Sequence, residues 1–296
     1  MNQQEIESYK KAGQIAQQVR TYIKELVQPK LKLVDLARKI ESKIKELGGE
    51  IAFPVNLSID DIAAHYHPTA EDETLASGLL KIDFGVHIKG FIADTAISID
   101  LTEKQEHKKL IESAEKALEN ALSLLEKNPT LDEIGQEIKK TIEDKGFSPI
   151  VNLSGHSLEK YDIHAGITIP NYANGNKTKL KDGGYAIEPF ATTGEGKIIE
   201  GTSGNIYAII NLKNVRSPKA REILEYIYKE HKTLPFSLRE LQDKFGNFAR
   251  LAIRELENSD IIHNYNQLVE KSHGVVAQAE HTFIKKDKKI IITTRE

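Results

Sequence analysis

The sequence predicts an α+β fold of two pseudo-symmetric halves, each a curved antiparallel sheet backed by helices, with a helical, winged-helix-like insertion in the second half. Three observations predict it. Residues 80–99, LKIDFGVHIKGFIADTAISI, alternate apolar with other residues on both sides of Lys89-Gly90, the pattern of a β-hairpin. Residues 33–49 and 131–146 are both amphipathic helices ending at glycine, with Ile40 and Ile44 matched by Ile138 and Ile142. The second copy is interrupted: 91 residues separate Glu188 from Glu280, whereas ten separate Asp83 from Asp94. About 80 residues are therefore expected as an insertion at a hairpin tip.

The chain of 296 residues can bury a large core, as one big domain or two. The opening MNQQEIESYKK has no apolar targeting region, and no uninterrupted apolar run approaches the length of a membrane span, so a soluble cytoplasmic protein without a membrane partner is expected. Charged residues make up 29% and the net charge is -3, which leaves no electrostatic footprint for nucleic acid or an anionic membrane. With no cysteine, disulfides, thiolate metal sites and cysteine nucleophiles are excluded. Any metal must be held by His, Asp, Glu or backbone oxygen.

In chain order, the first helix of the repeat is followed by Val55-Asn56-Leu57-Ser58, and the second, opened by a Thr130/Glu133 capping box, by Val151-Asn152-Leu153-Ser154. His65 stands seven residues after Ser58, and His164 seven after Ser157. Lys81-Ile82-Asp83-Phe84 is answered by Ala186-Ile187-Glu188-Pro189, and Ala93-Asp94-Thr95 by Ala279-Glu280-His281. Each half thus offers two acids and a histidine. The insertion, including REILEYIYKEHKTLPFSLRELQDKFGNFARLAIRELENSDIIHNY, has the order helix, turn, helix, helix, short strand, which could be a winged helix. Residues 216–260 carry nine Lys or Arg against eight Asp or Glu, so no basic stripe for nucleic acid forms. An accessory subdomain walling a substrate cleft is expected, with Tyr265 near where the chain returns. The expected boundaries are residues 1–204 with 268–296 for the main domain and 205–267 for the insertion.

The chemistry lies in the strands. Asp is depleted there, and a two-residue turn puts Asp83 and Asp94 on one face, directly opposed or on the diagonal, where like charges repel unless a cation lies between them. His156, beside Ser154-Gly155 where another backbone can approach closely, adds one imidazole to Asp83, Asp94, Glu188 and Glu280. This oxygen-rich set suits two Mn, Fe, Co or Zn ions better than Ca or Cu.

Asp83 and Asp94, His156 in GHS, Glu188 in IEPF and Glu280 in AEHT closely resemble the methionine aminopeptidases, of the pita-bread metalloenzymes. The large insertion before the last Glu resembles type II, as do NLSIDDIAAHYHP and YDIHAG, and the chain starts almost directly at the catalytic domain, as archaeal members do. The resemblance implies a two-metal hydrolase that removes N-terminal methionine from nascent proteins when the second residue is small. It implies that Asp94 and Glu280 bridge the ions, that Asp83 completes one and His156 with Glu188 the other, and that Glu188 also carries a proton. His164 would polarise the scissile carbonyl and His65 contact the substrate backbone, while Phe53 and Ile163 line the methionine pocket; His67 is expected to be only a neighbour. The implied partners are nascent N-termini, a transient ribosome contact stays open, and a monomer is expected. The alternatives are a proline-specific aminopeptidase or dipeptidase on the same fold, which typically carries an additional N-terminal domain, and a non-catalytic binding relative.

Overall fold

The computed structural model describes residues 1–295. Helix α1 (Gln3–Leu26) starts at a reciprocal cap, in which Asn2 accepts the Glu5 backbone N–H at 3.0 Å and Glu5 that of Asn2 at 2.7 Å. Helix α2 (Leu33–Glu46) runs out just before Gly48, whose φ of 80° L side chains rarely adopt. Strands β1 (Glu50–Ile59), β2 (Ile62–Ala64), β3 (Leu79–Ile88) and β4 (Phe91–Asp100) follow, with β1, β3 and β4 antiparallel in that order. Leu80, Ile82, Phe84 and Val86 enter one apolar core with Ile15, Val19, Ile40 and Ile44 of the two helices. Burial worth about 1.5–3 kcal/mol per large side chain holds helices to sheet. Strand alternation then turns Lys81, Asp83 and Gly85 to the other face.

The second half repeats the scheme. Helices α3 (Lys108–Leu124) and α4 (Leu131–Glu143) precede β5 (Ser148–Pro149), β6 (Ser154–Leu158), β7 (Thr168–Pro170), β8 (Gly183–Ile187) and β9 (Phe190–Thr192). The predicted Thr130/Glu133 capping box opens α4. Ile138 and Ile142 pack with Tyr185, Ile187 and Phe283, as Ile40 and Ile44 do in the first core. Register corrects one sequence match. Asn56 faces Asp83 across β1 and β3, and the pairing of His156 with Ala186 puts Ser154 level with Glu188, so strands and isoleucines share one offset, Asn56 to Ser154 and Ile40 to Ile138. The twin Val-Asn-Leu-Ser tetrapeptides stand two residues outside that offset: the first lies buried in β1, whereas Val151 and Asn152 form a turn before β6. In the true alignment His156 corresponds to Ser58.

After β9 the chain leaves along β10 (Ile198–Ile209), forms α5 (Pro218–His231), β11 (Phe236–Ser237), α6 (Leu238–Phe245) and α7 (Phe248–Asn258), and returns along β12 (Ile262–Glu270). It closes with β13 (Val276–Gln278), β14 (His281–Lys286) and β15 (Lys289–Ile292). The main sheet of this half runs β15-β14-β8-β6-β7, beside a small sheet β13-β9-β5. Helices α5–α7 enclose a core of their own around Ile223, Ile227, Phe236, Leu241 and Leu256. The expected short strand is the nine-residue β12, long because it pairs along β10 and then with β2. Among the described residues no helix is long and apolar enough to cross a membrane.

Candidate metal centre

Lys89 and Gly90, with φ of 54° and 88°, close the β3–β4 hairpin as a two-residue turn whose twist matches the strands. The register sets Asp83 opposite Ala96 and Asp94 opposite Gly85, so the two aspartates are diagonal neighbours on one face. In the second half Ile187 pairs with His281, which puts Glu188 and Glu280 one residue beyond the paired ends of β8 and β14. His156 reaches the same place because β6 lies very close to β8: a Cβ on Gly155 would stand 2.3 Å from the Ala186 carbonyl oxygen.

Three hydroxyls stitch the halves together at this level. Thr282 Oγ1 accepts the Asp94 N–H at 2.7 Å and donates to the Asp94 carbonyl at 2.9 Å. Thr95 Oγ1 donates to the Glu280 carbonyl at 2.8 Å, and Ser98 Oγ accepts from and donates to the Gln278 backbone at 2.9 and 2.7 Å. The seam fixes the backbones of the acids from both halves.

Ligand atoms of Asp94, His156 and Glu280 lie within 4.8 Å of one another, and His156 Nε2 stands 3.6 Å from Asp94 and 3.7 Å from Glu188. Gln278, which the sequence reading missed, donates its amide to Asp83 at 3.2 Å and to Glu188 at 3.5 Å. Its signal was its place two residues before Glu280 in the strand-like segment VVAQAEHTFI. Oxygens of Asp83, Asp94 and Glu280 are buried without a hydrogen-bond partner. Burial pushes the Asp83 carboxyl up to about 7 and those of Asp94, Glu188 and Glu280 well above the carboxylate range, the last three further raised by mutual repulsion. Burial also lowers His156 to about 3, which keeps the imidazole neutral with a lone pair to give. Orphaned carboxylate oxygens beside a neutral imidazole fit divalent cations.

All ten residues singled out from the sequence line one cavity of about 360 Å³. Phe53 lies against Gly85, where a Cβ would meet its ring at 2.4 Å, and Ile163 joins its apolar side. His164 sets its ring edge-on to His156 at 4.5 Å. His65 Nδ1 lies 3.1 Å from the Asn266 carbonyl oxygen, which can only accept, so Nδ1 carries the proton and Nε2 is left as an acceptor. The Tyr265 ring meets His65 edge-on at 5.5 Å. Burial holds His65 down at about 4, neutral at ordinary pH.

Carboxylates that only a cation can keep ionised together, at the floor of a cavity with imidazoles in its wall, define a metal-dependent hydrolase. Residues 7–213 match the model of metallopeptidase family M24. The chain belongs to that family and, within it, to the methionine aminopeptidases. It is 46% identical to the methionine aminopeptidase of Pyrococcus abyssi over 96% of this chain and 97% of that one, and 40% identical to that of Methanocaldococcus jannaschii over 98% and 100%. The fold is the pita-bread fold. A solved thermophilic Arx1 superposes with a TM-score of 0.84 at 18% identity, covering 99% of this chain and 91% of that one. The methionine aminopeptidase of Thermotoga maritima does so with 0.71 at 20% identity, covering 100% and 98%.

Proposed function

We propose that this chain removes the N-terminal methionine from peptides and nascent proteins whose second residue is small, with Asp83, Asp94, His156, Glu188 and Glu280 holding two divalent ions of Co, Mn, Fe or Zn. It is a methionyl aminopeptidase, a hydrolase. The observation that carries the reading is the set of buried, orphaned carboxylate oxygens at the floor of a partly apolar cavity. Bound ions would supply Lewis acidity and a water of lowered pKa.

This chain's own groups do the rest. Glu188, which lines the cavity beside the scissile position, can take up a proton there and pass it to the leaving amine. The bare Nε2 of His65 suits a substrate backbone N–H near the scissile bond. His164 can donate to the scissile carbonyl and to the oxyanion that develops there. Phe53 and Ile163 bury an unbranched thioether, worth about 1.5–3 kcal/mol. Tyr265 and His65 form the wall against which the second residue lies, so small side chains fit and bulky ones clash. Residues 205–267 form an insertion subdomain on a main domain of 1–204 and 268–296. The protein acts in the cytoplasm as a monomer, on nascent N-termini and without a specific nucleic acid; a ribosome contact would be transient.

Two alternatives have less support. A solved Pyrococcus furiosus prolidase shares the fold at a TM-score of 0.59, but this chain covers only 65% of it. A non-catalytic relative would have little use for five intact candidate ligands, and metal analysis of the purified protein separates the two cases. Peptide assays with added Co or Mn test the whole reading. Met-Ala, Met-Gly and Met-Ser peptides should be cleaved, while Met-Lys, Met-Phe and N-acetylated Met-Ala peptides survive. Release of residues ahead of proline with little regard for methionine would establish the proline-peptidase alternative instead.

A further inference from the structure

Two residues beyond His65, His67 is wholly buried and held on every side. Its Nδ1 lies 2.8 Å from the Val55 carbonyl oxygen of β1, its backbone N–H donates to Gly204 of β10 at 3.2 Å, and its carbonyl accepts from the Asn205 amide at 3.2 Å. The fourth partner comes from the insertion. Arg239 of α6, itself 4% exposed, donates Nε–H to His67 Nε2 at 3.2 Å and Nη2–H to Glu41 of α2 at 2.5 Å. A guanidinium can only donate and a carbonyl can only accept, so one tautomer of His67, protonated at Nδ1, satisfies both neighbours. Burial and the adjacent Arg239 charge hold that imidazole down at about 3, neutral throughout the working range.

The segment that His67 anchors needs an anchor. His65 has a φ of 65°, a left-handed backbone unusual for a non-glycine residue, which persists only where the surroundings impose it. A Cβ on Gly204 would stand 2.1 Å from the His65 carbonyl oxygen, so β10 presses directly on the strained residue.

We infer that His67 and Arg239 are positioning residues: through them helix α6 of the insertion holds segment 64–68 in place, and with it the aim of the His65 imidazole into the cavity. The inference rests on His65 meeting the substrate, as proposed above, and gives the insertion a part in the reaction beyond walling the cleft.

The test is a cycle of variants in the metal-loaded full-length enzyme. His67→Phe keeps a ring but loses both nitrogens; it should retain its metal and lose about 10- to 10²-fold in kcat, the scale of a catalytic group misplaced by about an ångström, with little change in KM. His67→Gln, whose amide can accept from Arg239 and donate toward Val55, should recover most of that rate. In a His65→Ala background His67→Phe should cost nothing further, because the two act through one group. Should His67→Phe fail to fold, Arg239→Lys, which keeps the charge beside Glu41 and gives up the Nε donor, takes its place in the cycle. Equal losses with and without His65, or a lowered Tm with kcat unchanged, would overturn the positioning role alone. A wild-type rate in His65→Ala would overturn the reading of His65 and this inference with it.

Discussion

Asp94 and Glu280 come from opposite halves, and each has a buried oxygen that no protein group satisfies. Asp94→Ala or Glu280→Ala should therefore lower metal stoichiometry and abolish turnover. His65→Ala and His164→Ala should keep their metal, measured by titration calorimetry, while losing about 10²- to 10³-fold in rate, the scale of one transition-state hydrogen bond. A His164→Ala protein that no longer binds metal would show that the role is misassigned. Protonation offers a second residue-scale test. The folded-state pKa of Asp83 lies at about 7, above the ordinary carboxylate value, so the folded chain binds a proton that the unfolded chain has already lost. The sign follows: this contribution is complete below about pH 4 and disappears as pH rises through about 7. His65, His67 and His156, held low by burial, contribute with the opposite sign over the same range, so the Asp83 part is read as a difference: in chelator-treated protein the Tm of Asp83→Asn relative to the parent chain should rise from pH 5 to 7, and Mn should remove that rise. A relative Tm that falls over that range would contradict it.

Elements decide how these residues meet. The hydroxyl of Thr282 both receives and returns a hydrogen bond at Asp94, joining that residue's backbone to the second half. Thr282→Val keeps the shape and leaves a buried N–H and C=O unpaired, a cost of about 1–3 kcal/mol for each group left bare. Urea denaturation should register it, together with weaker metal binding; an unchanged midpoint would mean that water replaces the hydroxyl. At this scale the sequence was partly legible. The hairpin and the paired isoleucines were readable because period 2 and period 3.6 register burial directly. The matching tetrapeptides misled, since four identical residues carry no register, and pairing alone showed that His156 corresponds to Ser58. The seam hydroxyls were illegible because their meaning lies in partners nearly 200 residues away, as from Asp94 to Thr282. His67, taken for a neighbour of His65, gained a partner only when α6 folded back over it.

At the scale of the molecule, the insertion tests whether architecture implies recognition. Its helices have the order of a winged helix, yet two of its arginines are paired with acids of the main domain, Arg239 with Glu41 and Arg250 with Glu71, and Lys219 and Lys229 with acids of its own helix α5. Fluorescence anisotropy with duplex DNA or RNA at about 150 mM salt should find no submicromolar binding, and specific binding there would reverse the assignment. The hydroxyl seam also sets when during folding the centre can form. The five candidate ligands run from Asp83 to Glu280, and at the level of the site the two halves join where β4 meets the chain from Gln278 to Thr282. A nascent piece that ends before Glu280 lacks one of the five, and such long-range contacts form late because the intervening loop must first be closed. A half-folded chain is thus unable to hydrolyse its neighbours, and the arrival of activity during refolding marks the closing of the last contact.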